Sequence, residues 1–224
     1  GHKDFKKCNA AARQVVLTVL MISIPLALLC LILRRPLLRL VFGSVDPAVM
    51  KNGVTYFFYT SISFPFLALF ESGAAFYRAG GNSRFPMTLS VISNCLNIFG
   101  NAVLIFGLLG FPVMGVRGAA IGTLCARAAE TVMVLVYAIF RNKVVRIRLK
   151  DMVKIDKVLL KDFAVYSMPV VLNELMWGLG TSANTAVIGH LGSAAVAANS
   201  VAQVARQLAT VVTFGISHAT AIYL

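Results

Sequence analysis

The chain has 224 residues, of which 58% are hydrophobic, a mean hydropathy of +0.82 and a formal net charge of +13. That apolar content lies well above an ordinary soluble domain, and most of the 21 bases, against 8 acids, fall between apolar runs. They read as membrane topology, and nucleic acid is excluded as a partner. The 4 cysteines (Cys8, Cys30, Cys95 and Cys125) form no CxxC pair, so neither a disulfide framework nor a cysteine zinc site is indicated.

Residues 1–13 (GHKDFKKCNAAAR) make a polar, basic lead-in without an initiator Met or a signal-peptide pattern. The other end stops in or just after an apolar stretch, so the expectation is a chain cut at both ends. A spanning helix needs roughly 20 apolar residues. The first candidate covers about 14–33, with Pro25 in its middle, and ends at Arg34-Arg35-Pro36. Leu37 to Phe42 is too short to span and is expected at the interface. The second covers about 53–77, opening on the aromatic run Tyr56 to Tyr59 and carrying Pro65 and Glu71.

After a polar turn with Arg78, Gly80, Gly81, Asn82 and Arg84 comes the third candidate, about 86–106, with Pro86 at its start. The fourth covers about 116–140. The stretch 141–162 then carries Arg141, Lys143, Arg146, Arg148, Lys150, Lys154, Lys157 and Lys161, with only Asp151, Asp156 and Asp162 against them. Two further candidates follow at about 163–188 and 194–216. The fold class is thus an all-α integral membrane protein with six predicted spans: four, a basic linker, and two.

Counting bases by side sets the orientation. Lys3, Lys6, Lys7, Arg13, Arg78, Arg84 and the linker's bases share one side; Arg34, Arg35, Arg39, Lys51 and Arg117 share the other. The lead-in and the linker are therefore expected in the cytoplasm. Five dissenting bases remain on the far side.

Polar groups within spans are costly and are functional candidates. Ser90, Asn94, Asn97 and Asn101 recur at spacings that place them on one helix face, either as interhelical hydrogen bonds or as a cavity lining. Thr123, Arg127 and Glu130 share a face of the fourth candidate, with Arg127 and Glu130 read as a structural ion pair. Gly118, Gly122 and Ala126 form a small-residue ridge beside them. The fifth carries Asn173, Glu174, Trp177, Thr181 and Asn184; with no base in the same helix to neutralise it, Glu174 is the candidate for proton, sodium or cationic cargo. In the sixth, Asn199, Gln203 and Arg206 share a face. Phosphate-loop, metal-cluster and nucleophile templates are unmet, and the chain is not read as an enzyme.

Three runs carry a resemblance. NCLNIFGNAVLIFGLLGFPVMGVRGAAIGTLCAR (Asn94 to Arg127), FYRAGGNSRFPMTLSVISN upstream and YSMPVVLNELMWGLGTSANTAVIGHLGSAAVAANSVAQ downstream resemble multidrug and toxic compound extrusion (MATE) transporters, within a superfamily that includes polysaccharide and lipid exporters. The resemblance implies twelve helices in two lobes, with this chain matching helices three to eight. Residues 1–140 would be the latter part of the first lobe, 141–162 the cytoplasmic linker and 163–224 the start of the second lobe. It implies cation-coupled efflux of amphipathic or cationic compounds by alternating access in a bacterial-type plasma membrane. Its partners are membrane lipid, small-molecule substrates and the remaining helices of the same transporter. No cofactor is implied beyond a coupling ion, sodium or proton; the one metal foreseen is sodium near Glu174, which falls where the family often carries a coupling carboxylate. Two alternatives stay open: a flippase for lipid-linked glycans, kept alive by Arg127 and Arg206, and a non-transporting membrane scaffold.

Overall fold

The computed structural model describes residues 5–43, 46–140 and 157–223. Six α-helices follow in order: α1 (Phe5–Phe42), α2 (Pro47–Ala79), α3 (Arg84–Phe106), α4 (Val116–Phe140), α5 (Lys157–His190) and α6 (Ser193–Tyr223). A short 3-10 turn, Leu108–Gly110, lies between α3 and α4. Most of the basic linker, 141–156, lies outside the described residues.

Among the described residues, four segments are long and apolar enough to cross a membrane: Ala11–Phe42, Pro47–Ala79, Arg84–Phe106 and Val116–Ala138. Even the 23-residue ones rise on the order of 35 Å, more than the hydrocarbon thickness of about 30 Å. The chain is an all-α membrane protein with four candidate spans. Helices α5 and α6, of 34 and 31 residues, are long enough to span but are not among those four.

Several helices outrun the expected boundaries. Helix α1 continues through Arg34-Arg35-Pro36 to Phe42, so Leu37 to Phe42 is its last turns and not a separate interfacial piece. Backbone hydrogen bonding does not stop where the apolar run stops, and a proline removes only its own N–H from the ladder. For the same reason α2 begins at Pro47, on an Asp46 cap whose Oδ1 accepts the Ala48 N–H at 2.7 Å, and not at 53. Helix α6 likewise runs on to Tyr223, well past 216.

The chain divides into two compact units, Gly1–Leu38 with Asp46–Pro169 and Arg39–Val45 with Val170–Leu224. In the first, α4 packs against α2 and α3. Phe70 and Ala74 of α2, Leu89 of α3 and Val134 of α4 form its buried cluster, with Phe85 and Met133 alongside. Three rings tie the same helices together: Phe85 stacks on Tyr137 at 3.8 Å, and Tyr77 meets both edge-on at 4.7 and 5.6 Å. Gly81 (φ +80) makes the α2–α3 turn, where the Asn82 N–H donates to the Tyr77 carbonyl at 2.8 Å. In the second unit, Gly43 (φ +65) closes α1 against His190: a Cβ there would lie 2.8 Å from the imidazole Cε1.

Candidate functional site

The polar residues of the first unit gather along the α3–α4 contact. Antiparallel packing sets up a register that runs the length of both helices. The Ser90 hydroxyl donates to Glu130 Oε1 at 3.3 Å, and the Ser93 hydroxyl to the Ala126 carbonyl at 3.2 Å. Further along, Asn97 Nδ2 lies 3.5 Å from the Thr123 hydroxyl, and Asn101 Nδ2 donates to Asn97 Oδ1 at 3.0 Å. Asn101 Oδ1 presses on Gly122, and a Cβ on Gly118 would lie 2.6 Å from the Leu104 carbonyl oxygen. The ridge of Gly118, Gly122 and Ala126 is what lets α4 come this close, because any larger side chain would stand in the seam. Ser90, Asn97 and Asn101 therefore face α4, whereas Asn94 is exposed. Ser93, buried on the same face, was not singled out from the sequence, although its position three residues after Ser90 carries the signal.

Glu130 is the most completely buried ionisable group among the described residues, at 1% exposure. Arg127 Nη1 donates to its Oε2 at 2.8 Å and Ser90 to its other oxygen, so both carboxylate oxygens are engaged. The neighbouring Thr131 hydroxyl shares its proton between the Phe66 carbonyl of α2, at 2.7 Å, and the Arg127 carbonyl, at 2.9 Å. These contacts link three helices around one charge pair. By contrast, Glu71 pairs with Arg78 at 3.0 Å with both side chains exposed.

In the second unit Asn173, Glu174, Trp177, Thr181 and Asn184 are all exposed on α5. Glu174 edges an open groove of about 440 Å³, lined otherwise by Val170, Val171, Leu175, Gly178, Leu179 and Ser182. No base pairs with it among the described residues. Thr181 is occupied locally, its hydroxyl donating to the Trp177 and Gly178 carbonyls at 3.1 and 3.0 Å. In α6, Asn199 and Gln203 are half-buried and Arg206 is exposed.

One further groove escaped the sequence reading. In the first unit Arg34 of α1, Lys51, Asn52, Val54, Thr55, Phe58 and Tyr59 of α2, Met114 in the turn before α4, and Arg117 of α4 line a space of about 560 Å³. The Arg34 guanidinium lies over the Phe58 ring, 5.3 Å from its centre, and Arg117 Nε donates to the Tyr59 hydroxyl at 3.3 Å. Its signal in the sequence was the set of five bases on the side that should be poor in them.

Residues 1–103 match the family model described as MatE. The chain is 27% identical over 202 residues to the probable multidrug resistance protein YoeA of Bacillus subtilis, an alignment taking in 88% of this chain and 43% of YoeA. It is 31% identical over 157 residues to the probable multidrug resistance protein NorM of Thermotoga maritima, taking in 70% of this chain and 33% of NorM. Its fold is like that of a MOP superfamily transporter from Pyrococcus furiosus, with a TM-score of 0.70 at 21% identity over 91% of this chain and 45% of that one. The work on that protein describes its binding pocket as reversed in polarity. The chain thus spans less than half the length of these relatives. The chain is thus similar to the MatE family over residues 1–103, and over more of its length to proteins described as probable multidrug resistance proteins.

Proposed function

We propose, on the premise of that kinship with MATE transporters, that this chain is the part corresponding to helices three to eight of a cation-coupled exporter of amphipathic or cationic compounds. Alternating access would carry the cargo between the two faces of a plasma membrane. Helices α5 and α6 would cross the bilayer with the other four, and the lead-in and the linker would lie in the cytoplasm.

The observation that carries the reading is Glu174, a carboxylate without an ion pair among the described residues, on a groove lined mostly by apolar side chains. Water, lipid and protein stabilise its charge to different degrees, so moving it between exposed and closed environments changes its affinity for a proton or sodium ion. That difference is the means by which ion flow can drive cargo the other way. Asn173 and Asn184 supply oxygen ligands or hydrogen bonds beside it, Thr181 marks the same face, and Trp177 offers a π-face to an organic cation. Asn94, Asn199 and Gln203 serve as cavity lining. Ser90 and Asn97 would reach that lining only at its edge, since they bond to Glu130 and Thr123 of α4, and Asn101 is tied to Asn97 within α3.

The lipid-linked glycan reading needs free bases in the cavity. Arg127 is neutralised by Glu130, which leaves Arg206 alone, so efflux is the better-supported reading. An efflux assay on cells expressing the full-length protein tests it: Glu174→Gln should abolish extrusion of a cationic dye at unchanged protein level. Dye extrusion equal to wild type, with the same ion dependence, would remove Glu174 from the mechanism.

A further inference from the structure

The groove of the first unit is lined by Arg34 in the later turns of α1, by the first turns of α2 and by the start of α4, at the end away from the Arg78–Arg84 turn. Three cations, Arg34, Lys51 and Arg117, line it, and no carboxylate does. Neither ion pair found among the described residues involves any of the three. The nearest acid in sequence, Asp46, is engaged in capping α2 through the Ala48 N–H.

Three bases converging without a counter-charge repel one another unless an anion joins them. Both arginines are held in place by contacts that leave donors over: Arg34 by the face of Phe58, and Arg117 through Nε alone, which leaves its two terminal nitrogens free to fork onto an oxyanion. The starts of α2 and α4 at this end add positive dipole ends. Val54, Phe58 and Met114 give the groove an apolar side. A free inorganic anion has no use for that side, whereas a lipid carries acyl chain beside its phosphate. Basic pockets between spanning helices are headgroup sites on the same grounds.

We propose that this groove binds the phosphate headgroup of an anionic membrane lipid, with Arg34 and Arg117 gripping the phosphate oxygens and Lys51 adding charge at the rim. The site is separate from Glu174 and independent of what cargo is carried. It gives the bases on this face a function that topology does not: three of the five dissenting residues of the charge count meet in one groove.

Native mass spectrometry of the full-length protein in neutral detergent tests it, titrating phosphatidylglycerol against phosphatidylcholine of the same chains. Phosphatidylglycerol should bind in preference, and Arg34→Gln with Arg117→Gln should weaken it by about tenfold or more, on roughly 1 kcal/mol per base. Lys51→Gln, a change at an exposed side chain that leaves the fold intact, should weaken it by about threefold to fivefold. Equal binding of the two lipids, or affinities unmoved by all three substitutions, would overturn the proposal. Displacement of bound phosphatidylglycerol by millimolar inorganic phosphate would overturn the lipid assignment and give the groove to free phosphate.

Discussion

At the scale of single residues, the sharpest contrast is between two carboxylates. Glu130 is buried and satisfied at both oxygens; Glu174 lies on a long helix with no partner among the described residues. A group held as tightly as Glu130 contributes to structure. Removing its partner should therefore be costly in stability. Arg127→Ala leaves the carboxylate with Ser90 alone and should destabilise the protein by about 2 kcal/mol or more. The double change Arg127→Met with Glu130→Leu should recover most of the loss, because a buried pair is worth little against an apolar pair of similar size. Thermal midpoints in detergent read both; equal loss in the single and double variants would show that the pair is not the source. Both residues could be named from the sequence, since a spacing of three brings them together on any helix. Which of them lies buried, and that Ser90 takes the second oxygen, depended on the register of α3 on α4.

At the scale of elements, α4 is the helix on which the first unit is assembled, and its glycines decide how closely α3 approaches. In lipid the apolar effect does not drive helices together, so close packing and hydrogen bonds have to. Gly122→Val would drive a side chain into Asn101, and Gly118→Val would meet the Leu104 carbonyl. Each should cost about 2 kcal/mol or more and loosen the Asn97 and Asn101 hydrogen bonds. Gly100→Ala, at a helical position with open space, should be neutral or stabilise by about 0.5–1 kcal/mol. The comparison is the test, since a general intolerance of α3 and α4 to substitution would lower all three midpoints alike. Element existence was legible in the sequence because long apolar runs between charged turns admit only helices. Element ends were not: α1 passes through Arg34-Arg35-Pro36 on backbone hydrogen bonds that composition does not register. The stripe from Ser90 to Asn101 was legible as one face, while its division between seam and surface was not.

At the scale of the whole molecule, the proposal is of part of a membrane transporter whose charges separate by role. On the proposed reading the linker and the Arg78–Arg84 turn would set the orientation, and the groove of Arg34, Lys51 and Arg117 would hold lipid on the other face. Orientation has its own test. In a background lacking the 4 native cysteines, Ser83→Cys should react with a membrane-impermeant maleimide only from the cytoplasmic side and Val113→Cys only from outside. The opposite pattern would invert the topology. The groove went unnoticed in the sequence because its members come from three helices, at positions 34, 51 and 117, and only packing brings them together. The resemblance to MATE transporters was legible through local runs of residues. Cargo was not legible, because the walls that would meet it are ordinary apolar side chains.

Cation-coupled efflux through Glu174 is the central claim, and transport by the purified full-length protein in sealed vesicles tests it most directly. A cationic dye is loaded on one side and a sodium or proton gradient is imposed from the other. The wild type should move dye only while one of the two gradients stands; Glu174→Gln should leave dye movement at the level of protein-free vesicles, with Glu174→Asp keeping part of it. Gradient-driven dye movement by Glu174→Gln at the wild-type rate would contradict the account.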